Sequence, residues 1–349
     1  VNALLSKSLG AHKYDEANKI GINGAVLYAF SYVIFLILGL TIVKPFYMSQ
    51  IGNADIEIMD MGVSYLSTVM IFSFGIFAEI FFERVLTSTG RTIFSMTSQL
   101  CGAITNIILD PIMIFGLLGF PKLGATGAAV ATVVGQCVAA VVAFVCNHKF
   151  NHDIKLSFKG YSPDFKIMGT IYAIGIPSII MQSIGSVMTY AMNRILIGFS
   201  STAAAVFGVY FKLQTFLYLP VSGIVQGMRP ILSFNYGAGE KKRMKQILSV
   251  CTGLIFGILT VGTALFLLLP EPIMGMFSKD SATIREGAAA LRIISLGFVV
   301  SGISVVASGA LEALGEGIPS FIISLLRYLV LIVPAASIGS RMFGITGVW

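Results

Sequence analysis

Charged residues are scarce in this sequence. Only 11% of its 349 residues are Asp, Glu, Lys or Arg, and 56% are apolar or aromatic. Because soluble domains carry about 25% charged residues, the composition excludes a soluble globular protein. The four cysteines form no CxxC pair and lie in apolar runs, which argues against disulfides and thiolate-bound zinc. The sequence contains no P-loop, HExxH or nucleophile-elbow motif, so we expect neither an enzyme nor a resident metal or cofactor.

The apolar residues form long uninterrupted runs. A helix of about 20 residues, rising 1.5 Å per residue, crosses the ~30 Å hydrocarbon layer, whereas barrel strands are only about 10 residues long. We therefore predict an all-α integral membrane protein with nine complete transmembrane helices. These lie at residues 22–43, 61–84, 93–118, 125–146, 167–199, 203–233, 247–270, 287–311 and 318–339.

The cations between the spans indicate the orientation. Of 23 Lys and Arg residues, fourteen lie on one set of connections and six on the other, while Arg194, Lys212 and Arg327 fall inside spans. Since Lys and Arg collect on the cytoplasmic side, residue 1 and the segment 148–166 are predicted to be cytoplasmic. The net charge of +7 then reflects the cations that collect on the cytoplasmic side of the membrane. We therefore expect the lipid bilayer, not nucleic acid, as the partner.

An internal repeat organises the chain. Leu5-Ser6 recurs as Leu232-Ser233, 227 residues later, and further pairs follow at slightly smaller offsets: Gly90 with Gly315, Pro111 with Pro334, and Gly124-Ala-Thr-Gly127 with Gly344-Ile-Thr-Gly347. Two spans precede the second copy and have no counterpart before the first. An even number of spans per half makes the repeats parallel. We therefore predict two parallel six-helix lobes. They are an N-lobe at 1–147 without its first two helices, a cytoplasmic linker at 148–166, and a C-lobe at 167–349 without its last helix.

Two groups of motifs carry a family resemblance. The first half contains Asn106-Ile-Ile-Leu-Asp110-Pro111, Gly124-Ala-Thr-Gly-Ala-Ala129 and Ala131-Thr-Val-Val-Gly-Gln136. The second half contains Phe211-Lys-Leu-Gln214, Gln226-Gly-Met-Arg-Pro230 and Asn235-Tyr-Gly-Ala-Gly239. In this order the motifs resemble the multidrug and toxic compound extrusion (MATE) family, in its bacterial DinF-like branch.

The resemblance implies a function. Members of the family are twelve-helix, two-lobe antiporters that export lipophilic or cationic drugs and other toxic organic compounds in exchange for H⁺ or Na⁺. We accordingly expect a multi-pass protein of the bacterial inner (plasma) membrane, acting as a monomer and without a cofactor. A lipid-linked saccharide flippase of the same superfamily is the alternative. Such a flippase should have a cationic central cavity, and Lys212 and Arg327 leave that possibility open.

One polar cluster is predicted inside the spans. A carboxylate within a span is costly, and Asp110 has Asn106 one helical turn before it. Asp110 is eight residues, about 12 Å, from the outer end of its span, and Thr132 reaches the same depth on the next span. Tyr65 is only slightly shallower. We interpret these four side chains as a coupling-ion site, and a purely structural role of Asp110 beside the Pro111 kink is the alternative. The resemblance implies the same Asn/Asp pair, joined by an Asp on a helix that this chain lacks.

The second half offers candidates for a cargo cavity. In the repeat, Val333 takes the place of Asp110, so the carboxylate site belongs to one lobe only. Lys212 and Arg327 lie near mid-membrane and either line a wet cavity or contact backbone carbonyls. Span 167–199 adds polar and deformable side chains, although ordinary helix packing explains its methionines equally well. These further candidates are Met181, Gln182, Met188 and Asn193.

Overall fold

Helices make up nearly all of the described chain. The computed structural model describes residues 1–51, 56–154, 156 and 162–349, and this part contains no strand. The elements are α1 Asn2–Gly10, α2 Tyr14–Thr41, α3 Val43–Ile51, α4 Ile56–Ile71, α5 Phe74–Ser88, α6 Thr92–Phe115, α7 Ala125–Phe150, α8 Phe165–Ile197, α9 Ser201–Gly237, α10 Lys241–Leu268, α11 Pro270–Gly275, α12 Ser281–Leu314, α13 Gly317–Leu325, a π-helical stretch Leu326–Ile332, α14 Val333–Phe343 and α15 Ile345–Val348. The predicted all-α class is confirmed.

The long helices match the predicted spans. Eight helical segments of the described chain are long and apolar enough to cross a membrane, and the count is nine when the bent pair α4–α5 is one span. Several helices begin or end beyond the predicted bounds, whereas α6 ends at Phe115, three residues before the predicted end of its span at 118. Helix α2 begins at Tyr14, not residue 22, because hydropathy detects the membrane-embedded part and not the polar first turn with Asp15 and Glu16.

The predicted span 61–84 is not one straight helix. Helices α4 and α5 meet at 46°, with Phe72 and Ser73 between them. The Ser73 hydroxyl donates to the Met70 carbonyl over 2.7 Å, and the Ser73 amide also turns back to that carbonyl. A side chain that binds the backbone locally competes with the regular helical hydrogen bonds, which accounts for the break.

The chain divides into two compact units, Val1–Gly169 and Thr170–Trp349. In the first unit, α6 and α7 meet through glycines: a Cβ atom added at Gly135 would lie 2.8 Å from the Gly102 carbonyl oxygen. Gly116 follows the end of helix α6, and its φ of 73° suits glycine. The connection from α7 to α8 belongs to the predicted linker 148–166, of which residues 155 and 157–161 lie outside the described residues.

The second unit has its own apolar core. Fully buried side chains of α8, α9, α10 and α12 form its centre, including Leu196, Met228, Ile255, Leu259 and Leu291. Helix α12 is continuous over 34 residues. Asp280 caps its first turn by accepting the Thr283 amide over 2.9 Å.

Candidate ion site between helices α6 and α7

Three of the four predicted site residues lie together in the first unit. The Asn106 amide nitrogen Nδ2 lies 3.3 Å from Asp110 Oδ1 and 3.5 Å from Thr132 Oγ1. One side-chain amide thus bridges a carboxylate on its own helix and a hydroxyl on the neighbouring helix. All three side chains are half-buried.

The cluster retains unused acceptor atoms. The Thr132 hydroxyl donates to the Ala128 carbonyl over 2.9 Å, so its lone pairs remain to accept. An ionised carboxylate accepts at both oxygens, and Asn106 contributes an amide oxygen as well as its donor. The arrangement combines one anionic group with neutral oxygens, which suits a proton or a small hard cation.

Local sequence explains the geometry. Asn106 and Asp110 are four residues apart, so helical periodicity places them on one face of α6. The Gly102–Gly135 contact lies one turn away and brings the two backbones close enough for Asn106 to reach Thr132. Pro111 follows Asp110 directly and deprives the helix of one backbone hydrogen bond. The carboxylate therefore lies at a weakened point of an otherwise closely packed helix pair.

Gln136 is a polar residue of α7 to which the sequence analysis gave no role. It follows Thr132 by four residues on α7, hence on the same face. Its Oε1 atom is buried and has no hydrogen-bond partner among the described residues. Leaving a buried acceptor unpaired costs about 1–3 kcal/mol, so this oxygen is available to a bound donor or cation. The i, i+4 spacing from Thr132 is the signal that could have identified it.

Tyr65 is not joined to the three clustered side chains. Its side chain is 38% exposed, and within the described part of the chain no hydrogen bond links its hydroxyl to Asn106, Asp110 or Thr132. The neighbouring Ser64 instead ties α4 to α7, through a 2.7 Å hydrogen bond to Thr126.

The candidates of the second unit are dispersed. Arg327 lines a cavity between α9, α12 and the π-helical stretch, but none of the other five candidates does. Lys212 and Gln182 are exposed, and Asn193 is half-buried. Met188 packs against the core of the unit, and the Met181 sulfur lies 3.6 Å from the Ser320 hydroxyl. Of this set, Arg327 is the candidate that lines the cavity between these described helices.

A buried ion pair in the second unit was missed by sequence reasoning. Arg229 on α9 lies 2.8 Å from the carboxylate of Glu312 on α12, and the Glu312 side chain is only 8% exposed. Ser320 approaches the same carboxylate at 3.5 Å. Glu312 lies one residue beyond the predicted span 287–311, which is why a search for acids within spans did not find it.

Comparison with known proteins agrees with this architecture. The MatE family profile matches residues 1–112 and 177–338. The chain is 27% identical to the multidrug export protein MepA of Staphylococcus saprophyticus, over 99% of this chain and 74% of that protein. The fold is similar to that of a solved structure described as the outward-facing conformation of a multidrug resistance MATE family transporter of the MOP superfamily. The TM-score is 0.91 at 21% identity, over 100% of this chain and 77% of the other.

A second solved structure gives the same result. A MATE crystal structure in complex with MaL6 superposes with a TM-score of 0.90 at 22% identity, covering 100% of this chain and 78% of that one. The observations define a multi-span helical membrane protein with a polar cluster inside its first unit. The chain belongs to the MatE family. The expected family is thus confirmed, whereas the DinF-like branch and the two shortened lobes remain predictions.

Proposed function

We propose that this protein is a cation-coupled antiporter that exports lipophilic or cationic organic compounds by alternating access. The hydrogen-bonded cluster of Asn106, Asp110 and Thr132 carries the proposal, because a carboxylate with neutral oxygens inside apolar spans is a site for a coupling cation. Membership of the MatE family and relatives named as multidrug export proteins support the choice of cargo. These relatives are exporters by name, which agrees with the expectation that the chain is not an enzyme.

Coupling follows from the cost of charge in a membrane. An ionised Asp110 favours a state in which water or a cation reaches it, since an isolated charge in hydrocarbon is expensive. A bound H⁺ or Na⁺ neutralises the carboxylate and removes that cost. For Na⁺, Asn106, Thr132 and the buried Gln136 oxygen supply neutral ligands. Helix α6 then repacks at Pro111, where one backbone hydrogen bond is missing.

The proposal also includes the oligomeric state, the location and the orientation of the protein. The protein acts as a monomer in the bacterial plasma membrane, with its residue-1 end and the 148–166 segment in the cytoplasm. A cysteine introduced at Lys149 should react with a membrane-impermeant maleimide only in inside-out vesicles. Labelling in intact cells would contradict this orientation.

The decisive experiment is Asp110→Asn in the protein expressed from its complete gene. Ethidium export is followed in proteoliposomes with either a pH gradient or a Na⁺ gradient imposed. The variant should express and bind ethidium like the wild type but export none against a gradient, and the gradient that drives the wild type identifies the ion. Asp280→Asn, a change of the same kind at the exposed cap of α12, is the matched control and should export normally. Undiminished gradient-driven export by Asp110→Asn would overturn the proposal.

A further inference from the structure

The second unit contains a cavity that the ion site does not use. It has a volume of about 660 Å³ and lies between α9, α12 and the π-helical stretch. Ligand pockets for drug-sized molecules have volumes of about 300–1,000 Å³. The cavity is therefore large enough for a molecule of the size that an exporter carries.

Arg327 gives this cavity a permanent positive charge. It is ten residues from the start of α13 at Gly317, about 15 Å along the helix, and hence far from the nearer end of its span. Arginine does not lose its proton in proteins, so the charge cannot be removed by burial. Among the residues that the structure describes, no carboxylate lies within ion-pair distance of Arg327, and none lines the cavity.

The contacts of Arg327 hold its guanidinium without neutralising it. Its Nη1 donates to the Ser304 hydroxyl over 2.7 Å, and its Cζ lies 4.9 Å from the ring centre of Tyr328. Both contacts orient a cation but supply no negative charge. The π-helical stretch that carries Arg327 is a wider turn than an α-helix, a distortion frequent at functional sites.

The rest of the lining is amphipathic. Tyr210, Gln214 and Tyr218 form one stripe of α9, and the Tyr218 hydroxyl is hydrogen-bonded to Ser301 of α12. Phe298 and several aliphatic residues provide the apolar wall. The cavity thus offers one cationic fork, neutral hydroxyl and amide groups, and an aromatic surface.

We propose that this cavity binds an amphiphilic organic anion. Its carboxylate or phosphate group accepts from the Arg327 guanidinium, whose planar fork matches such groups, and its apolar body packs against Phe298. This inference deepens the proposed export function and rests on it for the meaning of the ligand as cargo. It extends the cargo from lipophilic cations to molecules with one anionic group.

Equilibrium binding of two pyrene probes tests the inference. Pyrenebutyrate carries one carboxylate, and pyrenebutanol is its neutral counterpart with the same aromatic body. In nanodiscs of phosphatidylcholine, Arg327→Gln should weaken pyrenebutyrate binding about 10- to 100-fold, the equivalent of a lost charged hydrogen bond, and change pyrenebutanol binding less than about twofold. Arg327→Lys should fall between. Arg341→Gln removes an exposed arginine later in the same span and should leave both probes unaffected.

A measurement on the unaltered protein guards against misfolding of the variants. Phenylglyoxal modifies accessible arginines, and mass spectrometry of peptides locates the product. Pyrenebutyrate should slow the modification of Arg327, whereas pyrenebutanol should not. Equal effects of the two probes, in binding or in protection, would overturn the proposal.

Two further comparisons show where the natural anion comes from, and whether a failure concerns the anion site or the proposed export function. If phosphatidylglycerol in the nanodisc displaces pyrenebutyrate, the natural anion is a lipid headgroup, and if it does not, the anion is a soluble cargo. Both results support the anion site. Loss of ethidium export in Asp110→Asn concerns only coupling, and anion binding at Arg327 needs no gradient, so either inference can fail while the other stands.

Discussion

The two units place different chemistry at the same position of the repeat. In the first unit, the Asn2 amide nitrogen lies 3.5 Å from the Thr87 hydroxyl, and Ser88 donates to Asn2 over 2.7 Å. The offsets of 227 and 225 residues carry Asn2 to Arg229 and Thr87 to Glu312, which form the buried ion pair of the second unit. One joint between helices is neutral and the other is charged. The repeat therefore preserves where helices meet, but not what holds them.

The two units also differ in charge at a second pair of repeat positions, Asp110 and Val333. The first unit has the Asp110 carboxylate, whereas Val333 takes its place in the second, where Arg327 charges a cavity instead. The first unit thus has an anionic site and a neutral contact between helices. The second unit has a cationic cavity and an ion pair between helices. Such a division is consistent with a coupling ion in one unit and cargo contacts in the other.

The largest effect is expected where the charged joint is broken. Glu312→Gln removes the negative charge that lies 2.8 Å from the Arg229 guanidinium and should cost about 3 kcal/mol of unfolding free energy, the low end for buried pairs because Arg229 is 31% exposed. The matched change in the first unit, Thr87→Val, should cost about 1 kcal/mol. Thermal unfolding of the purified variants in detergent measures both. Equal losses of stability in the two variants would contradict the distinction between the neutral contact of the first unit and the ion pair of the second.

A smaller effect is expected at the glycine contacts. Alanine at Gly135 meets the Gly102 carbonyl at 2.8 Å, and since a backbone cannot move aside, the cost should be about 1–3 kcal/mol. At Gly302 of the second unit the added methyl group meets the flexible Leu259 side chain at 2.9 Å. Gly302→Ala should therefore cost less stability than Gly135→Ala. Gly257→Ala, in open space, should be neutral or slightly stabilising. The melting temperatures of the three variants give the order, and a reversed order would contradict the close α6–α7 contact.

The hydroxyl of Thr132 sharpens the comparison at the ion site. Thr132→Val removes one neutral oxygen, worth about 1 kcal/mol or roughly a fivefold loss of affinity for the coupling ion, and should raise its half-saturating concentration with the maximal export rate retained. Thr126→Val alters the same helix where Thr126 meets Ser64, outside the cluster. It should leave the ion dependence unchanged. A comparable shift in both variants would assign the effect to helix packing.

The smallest effect is expected at the exposed cap of α12. Hydrogen bonds from Thr283 hold the pKa of the Asp280 carboxyl below its ordinary value. The folded state therefore favours the charged form, and this stabilisation is complete above the ordinary value, near pH 4, and is lost as the pH falls through the lowered one. Asp280→Ala should lower the melting temperature slightly at pH 7, with the difference from wild type disappearing in strong acid. A constant difference at all pH values would mean that the charge plays no part.

Sequence reasoning succeeded where geometry is local. Asn106 and Asp110 share a face because they are four residues apart, and Thr132 reaches their depth because the rise per residue is fixed. The structure brings these three together. Tyr65 satisfied the same depth argument but belongs to α4, whose rotation about its axis depends on tertiary contacts such as that of Ser64 with Thr126.

Other features depend on contacts that no local pattern encodes. The break at Ser73 lies within continuous apolar sequence, so hydropathy has no minimum there. The pair of Arg229 and Glu312 joins residues 83 positions apart, and each alone reads as a charge near a membrane boundary. The repeat offsets were the available signal, since they place both residues at a joint that the first unit also has.

The close contact between Gly102 and Gly135 also limits how this protein can evolve. A Cβ atom at Gly135 would lie 2.8 Å from the Gly102 carbonyl oxygen, so this position cannot pass through side chains of gradually increasing size without parting the two helices. If the cavity of the second unit binds cargo as proposed, changes in its walls are the route to a new range of compounds, and Gly297 in that lining has open space around it. The proposed ion site and the proposed cargo cavity would then vary independently, in different halves of one gene.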